Sequence, residues 1–389
     1  MAVDGNARLI RVFVHLGRGF GARHWEKIWS EGRIIGINER LPYGYFRASD
    51  DGCAIVYSED KIENWLERFF RRGIAYSVRV DIVHAWRNRT GIYDSEIVWT
   101  HTEQQYLAVL ILFRIFFWKR RPKLIAQSVW LFDRWQSLSL VRRWLYTGLI
   151  AKADILTVLS PENLKVARSL FPHVRSELVL FGINADEFAS VKRKKVHEPV
   201  RILSVGNDPH RDWQVLIRAI KDYSACYLKI VSRKLNKRKE LITSNNIELV
   251  DLFSDEKIAS KRLLDLFYWA DMVVLTMRSN LHASGITVLQ EAAIRGVPVI
   301  CSDTGGLKAY FPDEEVYFIP LGDPLEIRKA IAKLAGDDHL RWQMAEFAQA
   351  RMKTGGLNSL SYARRHAEIS RELLAREPMP AARACQRNL

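Results

Sequence analysis

Residues Tyr268 to Gly306 read YWADMVVLTMRSNLHASGITVLQEAAIRGVPVICSDTGG. Met272 to Thr276 is an apolar run short enough for a buried strand. Arg278 to Ser284 is polar and small, which predicts a loop. Ile286 to Arg295 carries Ile286, Leu289, Ala292 and Ala293 at helical spacing, and Gly296 followed by Pro298 ends that helix. Val297 to Cys301 is a second buried strand, and Thr304-Gly305-Gly306 a turn at its end. In a parallel sheet, ligands sit outside the carboxyl ends of the strands, and both loops lie at such ends. The predicted helix start at Gly285, Ile286 and Thr287 offers free N–H groups to an anion, most usefully a phosphate. Glu291 follows a turn and a half later, where a carboxylate accepts hydrogen bonds from a ribose diol.

This stretch resembles the donor-binding segment of GT-B glycosyltransferases, in the large retaining family that includes sucrose, mannosyl and lipopolysaccharide transferases. The resemblance rests on Ala270-Asp271 before the first strand, the small-residue loop, Glu291-Ala292, the G-x-P-V-I run from Gly296 to Ile300, and Gly305-Gly306. The family places a second Glu eight positions before Glu291, contacting the donor sugar. Here that position is Ala283, flanked by His282 and Ser284. The nucleotide half of the motif is kept and the sugar-reading half is changed.

The remainder fits a globular α/β chain. Its 389 residues suffice for two domains. Four scattered cysteines have no metal-ligand spacing and suggest a reducing compartment. Met1 to Arg8 has no apolar signal core. The formal net charge of +15 fits a nucleic acid, an anionic membrane or a phosphorylated substrate as partner. A nucleic-acid binder would collect its basic residues on one face with exposed aromatics; here they are spread through both halves. Leu107 to Trp118 is the most apolar run, but Arg114 interrupts it and it is too short to cross a bilayer. With Lys119, Arg120, Arg121, Trp130, Trp135, Arg142, Arg143 and Trp144, it fits either an interfacial helix on anionic lipid or a buried helix with a basic end.

In the first half, Arg11 to Leu16 is the first strand, and Gly17, Gly19 and Gly21 form a turn before a helix from Arg23. Arg33 to Ile37, Ala54 to Tyr57 and Tyr76 to His84 are expected as strands, and Ile62 to Arg72 as a helix. Ile97 to Thr100 is a short strand that runs into His101 and Glu103, and Lys123 to Trp130 leads to Asp133. The resemblance implies that the glycine turn faces the donor diphosphate or the acceptor. It implies further that His101 lies by the donor sugar, unless it belongs to the cap of the following helix. Glu103 is the nearest carboxylate, and Asp133 is a candidate for orienting the acceptor.

Val191 to Pro199 is a polar, basic run that reads as a linker between residues 1–190 and 200–355. The strand from Val200 ends at Gly206, and the loop Asn207 to Trp213 follows. In the family this loop carries an Arg and a Lys for the diphosphate. Asn207 occupies the Arg position, and Arg211, one residue short of the Lys position, is the expected substitute, assisted by His210. Arg233 and Lys234 follow another strand and are expected near the nucleotide. Residues 356–375 are expected to form a helix returning to the first domain, and residues 376–389 a tail.

The resemblance therefore implies two Rossmann-like domains facing a central cleft and a retaining, metal-independent glycosyltransferase without a cofactor. The donor would be a nucleotide sugar, with UDP-sugars favoured, and the acceptor a glycan or lipid-linked sugar. The site would be cytoplasmic, at the inner face of the cytoplasmic membrane. His282, Ala283, Ser284 and Arg278 would read the donor sugar, and the guanidinium of Arg278 would suit a uronic acid. The chief rival is a non-catalytic scaffold on the same fold.

Overall fold

The computed structural model describes residues 8–375, except 79, 117–120, 192, 237–243 and 253. The basic pair Lys119-Arg120 and the tail thus lie outside the described residues. Twelve strands form two parallel six-stranded sheets. The first contains β1 (Ile10–His15), β2 (Cys53–Tyr57), β3 (Ile97–Thr100), β4 (Lys123–Ser128), β5 (Ile155–Val158) and β6 (Ser176–Leu178), in the order β2-β1-β3-β4-β5-β6. The second contains β7 (Val200–Val205), β8 (Cys226–Val231), β9 (Ile247–Leu249), β10 (Met272–Leu275), β11 (Val299–Ser302) and β12 (Tyr317–Ile319), in the order β12-β11-β10-β7-β8-β9.

The central strands are apolar because helices cover both of their faces. β3, β5, β10 and β11 are buried along their whole length. Each sheet reverses its strand order beside its first strand, and that reversal opens a crevice at the carboxyl ends. The two crevices face one another. The core does not stop at the domain boundary, since one apolar cluster runs from Val12 and Trp99 through Leu203 and Leu275 to Tyr362 and Leu373.

Two strand expectations fail. Arg33 to Ile37 is an irregular loop. The stretch Tyr76 to His84 holds the end of the helix Trp65–Val78 and the start of the helix Ile82–Arg87. The break falls there because the Asp81 side chain accepts the N–H of His84 at 3.0 Å, which caps the second helix. The apolar run from Leu107 forms the helix Glu103–Ile115, buried at Leu107–Leu110, Leu112 and Phe113. It is a core helix over this stretch and is exposed at its end, at Arg114, Ile115 and Phe116.

The described residues of 179–199 form no regular element beyond one bridge, Ile183 to Asn358. The final helix, Ser359–Ala375, lies on the first domain. Trp99 Nε1 donates to Ser370 Oγ at 2.9 Å, and the Tyr45 and Tyr362 hydroxyls meet at 2.8 Å.

Candidate active site at the interdomain cleft

The site starts where β7 ends. Residues 207–212 leave the sheet and are fastened to the chain that follows β10. Asp212 N donates to Thr276 O at 2.9 Å, Thr276 Oγ1 to Asp212 O at 2.8 Å, and Arg278 N to His210 O at 2.7 Å. This stitching fixes Arg211, which is only 4% exposed. Its guanidinium lies between two glycines: a Cβ on Gly206 would fall 2.2 Å from Nε, and one on Gly285 3.0 Å from Nη1. Its neutral partner is Met277 Sδ, 3.3 Å from Nη1, and Nε is buried without a partner. No carboxylate among the described residues pairs with it. Burial pulls its pKa down to about 10, so it stays charged at neutral pH.

The helix Ile286–Ile294 begins beside this guanidinium. Gly285 enters it at φ 95°, a left-handed conformation that favours glycine. Gly206, Arg211, Arg233, Gly285, Thr287 and Glu291 together line a cavity of about 530 Å³, a volume ordinary for small-molecule sites. Asn207, at the family's Arg position, uses its Oδ1 to accept Arg233 N at 2.7 Å. Ile286 is buried beneath the cavity floor, and Lys234 is exposed on the next short helix, off the cavity wall.

The first domain closes this cavity with Trp25, Ile28 and the loop around Ile35. The stretch mistaken for a strand is thus a wall of the cleft. Ile37 N donates to Glu291 Oε1 at 3.1 Å, and a Cβ on Gly36 would come within 2.3 Å of that oxygen. Burial raises the Glu291 pKa, partly opposed by Arg295. One oxygen of the expected ribose ligand is therefore already engaged by a backbone amide.

Beside the cavity lies a second charged centre. His282 Nδ1 sits 2.7 Å from Asp133 Oδ2, and its Nε2 3.1 Å from Asp208 Oδ2. Asp133 also accepts Leu281 N at 2.7 Å, and Asp208 accepts His210 N at 2.7 Å. Despite its burial, the two carboxylates hold the His282 pKa up, at about 9. The imidazolium in turn lowers both acids. Asp208, His210 and His282 offer donor atoms within 4.8 Å of one another, close enough for a cation, but both His282 nitrogens already face carboxylates. Asp133 comes from the first domain, so this centre ties the two domains together.

Ala283 has φ 56° and is 1% exposed. It is packed where the domains meet: a Cβ on Gly306 would lie 3.4 Å from Ala283 Cβ and 3.3 Å from Ser160 Cβ. Ser160 Oγ also hydrogen-bonds Leu281 O. The seam leaves no channel for a long acidic side chain at 283. Ser284 N is held by Asn280 Oδ1 at 3.0 Å, while its hydroxyl is buried without a partner. Arg278 is exposed and lines neither cleft cavity.

A smaller cavity of about 360 Å³ lies on the first-domain side, lined by Glu103, Trp130, Arg134, Asp208 and neighbours. Glu103 accepts the amides of Val129 and Trp130, both at 3.3 Å, and burial raises its pKa. His101 is not on that wall. Tyr43 stacks on its ring at 3.5 Å, and Tyr45 and Gln127 bond its Nδ1 at 3.0 and 3.1 Å. Burial lowers its pKa to about 3, so it is a neutral core histidine. The glycine turn is likewise turned to internal use. Gly19 N and Gly21 N donate to the Asp60 carboxylate, at 3.0 and 3.3 Å, so the chain's own anion takes the place expected for a diphosphate.

Sequence reasoning passed over Asp208 and the Trp25 and Ile35 wall. The position of Asp208, two residues past a strand-ending glycine, was a usable signal. The wall was not visible, because no local pattern says which loop reaches across a cleft.

Residues 186–351 match the family model described as Glycosyl transferases group 1. No curated protein sequence matches the chain. Among solved structures, the chain is similar to sucrose-phosphate synthase from Thermosynechococcus elongatus, with a TM-score of 0.68 at 14% identity, covering 94% of this chain and 100% of that one. It is also similar to Anabaena HepE in complex with UDP and glucose, with a TM-score of 0.63 at 12% identity, covering 93% and 99%. A glycosyltransferase from Rickettsia africae gives 0.61 at 13% identity, covering 95% and 100%. The chain has the GT-B fold along nearly its whole length, and its second domain carries the sequence pattern of the group 1 glycosyl transferases.

Proposed function

We propose that the protein transfers a sugar from a nucleoside diphosphate donor, a UDP-sugar, to a lipid-linked or polysaccharide acceptor, with retention and without a metal ion. The observation that carries this reading is Arg211. A buried guanidinium with no carboxylate partner is costly unless an anion arrives. It lies beside a helix N-terminus, whose amides and dipole favour the same charge. A diphosphate answers both. Two of its phosphate oxygens suit the planar guanidinium fork, and Arg233 borders the same cavity.

In this reading Arg211 and the helix start stabilise the diphosphate as it leaves, when its charge is greatest. The ribose diol displaces Ile37 N from Glu291. The His282 imidazolium lies on the other side of Asp208 and offsets part of the negative charge of Asp133 and Asp208 beside the breaking glycosidic bond. The first-domain cavity with Trp130, Glu103 and Asp208 takes the acceptor: an aromatic face covers apolar sugar surface while the carboxylates accept hydroxyl protons. The similarity to a protein crystallised in complex with UDP and glucose supports the choice of UDP. The protein would work at the cytoplasmic face of the membrane, where such donors and lipid-linked acceptors meet.

The test is thermal unfolding with a panel of nucleotides and nucleotide sugars, with and without chelator. A ligand of the native state raises Tm by mass action. UDP compounds should raise it whether or not chelator is present, and Arg211→Ala should abolish the shift. No shift with any nucleotide would remove the reading.

A further inference from the structure

We infer that the outer face of the first-domain helical layer is a docking surface for an acidic lipid bilayer, centred on the helices Trp65–Val78 and Leu140–Ile150. Large apolar side chains on it face water. Leu140, Val141 and Trp144 are 80%, 74% and 78% exposed, and Ile62, Trp65 and Phe69 are 98%, 75% and 70% exposed. Isolated exposed leucines are ordinary on soluble proteins, but this many large apolar groups on one helical layer mark an interaction site.

The topology puts both groups on one face. The helices Trp65–Val78, Ile82–Arg87, Glu103–Ile115 and Leu140–Ile150 pack in sequence, each against the next. The last three of these close the same core against β3, β4 and β5, through Ala85, Tyr106, Leu110, Tyr146 and Ile150, and Trp65–Val78 joins the layer through Ile82–Arg87. Apart from Ile62, which lies just before its helix, the exposed residues occupy the first two turns of their helices. In a parallel sheet, the start of a helix lies at the carboxyl end of the strand before it. Both groups therefore sit at the cleft end of the domain, where a lipid-anchored acceptor would enter.

Charge decides the occupant. The helix Leu140–Ile150 has no acidic residue and carries Arg142 and Arg143 among its apolar ones. The other helix adds Arg68 and Arg72, and its one acid, Glu67, pairs with Arg87 at 3.5 Å. Tryptophan, leucine and arginine on one face match the boundary between acyl chains and anionic headgroups. The chain's surplus of 59 basic over 44 acidic residues adds long-range attraction to the same surface. No described helix is long and apolar enough to cross a membrane, so the contact would be peripheral. The surface is independent of the donor site, and its failure would leave that reading intact.

The test is flotation of the full-length protein with vesicles of phosphatidylcholine alone or mixed with phosphatidylglycerol. The protein should float with the mixed vesicles and far less with the neutral ones. Leu140→Glu/Trp144→Glu and Trp65→Glu/Phe69→Glu should each weaken partitioning by about tenfold or more, since each moves two apolar groups' worth of burial out of reach. Leu325→Glu, at an exposed leucine of the second domain, should leave it unchanged. Unchanged Tm in all three would show that folding is intact. Four outcomes would each overturn the inference. They are wild type binding neither vesicle at low salt, wild type binding both equally, patch variants floating like wild type, and patch substitutions turning a wild-type dimer, measured by light scattering, into a monomer.

Discussion

Two buried cations lie near each other in the cleft and are treated in opposite ways. His282 is held between two carboxylates, at 2.7 and 3.1 Å, and its charge is answered within the protein. Arg211 has two glycines and a thioether around it, and no carboxylate among the described residues pairs with it directly, Asp208 acting only from a longer distance. The first arrangement favours the folded, closed pair of domains. The second works against the folded state until an anion binds. A group that the fold keeps at a cost is better evidence of function than one that the fold satisfies.

The strongest way to break this contrast is to remove each cation. Arg211→Ala should weaken nucleotide binding by about 100-fold to 1,000-fold, the scale of a lost bidentate charged contact. It should leave Tm unchanged or raised, because it removes an uncompensated charge. Titration calorimetry alongside unfolding measures both. A large loss of Tm would mean that Arg211 is structural, and the contrast would collapse.

His282→Gln should do the reverse. Both acids would lose their counter-charge, and stability should fall by about 3 kcal/mol, as for a broken buried pair. The pH dependence has a definite sign. The folded pKa of His282, about 9, lies above the ordinary histidine value. Its contribution is therefore complete below about pH 6.5 and is lost as pH rises through 9. Asp133 and Asp208 are shifted down, so their contribution is present above the ordinary aspartate range and is lost only as pH falls through their lowered values. Wild type should lose about 3 kcal/mol between pH 6.5 and 9.5 that the variant does not lose. Parallel denaturation curves for the two proteins across that range would show that His282 carries no such charge.

Glu291→Gln sharpens the comparison on a third group. The carboxylate already accepts Ile37 N, so the substitution should cost only about tenfold in nucleotide affinity. The loop Arg33 to Ile37 should also become more accessible to protease, because a first-domain amide loses a charged acceptor. Unchanged affinity and unchanged cleavage together would place the ribose elsewhere.

The two domains differed in how much of them could be read beforehand. The second domain's alternation, its glycine-framed helix start, Arg211 and Glu291 were all visible, because the constraints are local: a strand end, a left-handed glycine, a helix start. The first-domain candidates were chosen by their distance along the chain from strand ends, and that rule does not say which way a side chain turns. His101 turns inward under Tyr43, and the glycine turn is filled by Asp60, some forty residues away in sequence. Asp133 faces the cleft, but its partner His282 is 149 positions distant. Nor could the sequence separate the buried helix Glu103–Ile115 from an interfacial one. Only the packed neighbours show that its apolar residues are taken into the core up to Phe113, and that the most exposed apolar residues lie elsewhere.

Arg278 gives the smallest expected effect and the finest test of the donor. It is exposed on the rim and held through its backbone N–H to His210 O, with its side chain off the walls of both cleft cavities. An exposed guanidinium contributes at most about 1 kcal/mol to a contact across solvent. Arg278→Ala should therefore leave turnover of neutral UDP-sugars within about twofold of wild type. A uronic-acid donor would give a different split. Its carboxylate would approach the rim as the cleft closes, and KM for that donor alone should rise about fivefold, with kcat unchanged. Equal kinetics for both donor classes would remove the uronic acid from the proposal and leave Arg211 as the cation that the cleft reserves for its substrate.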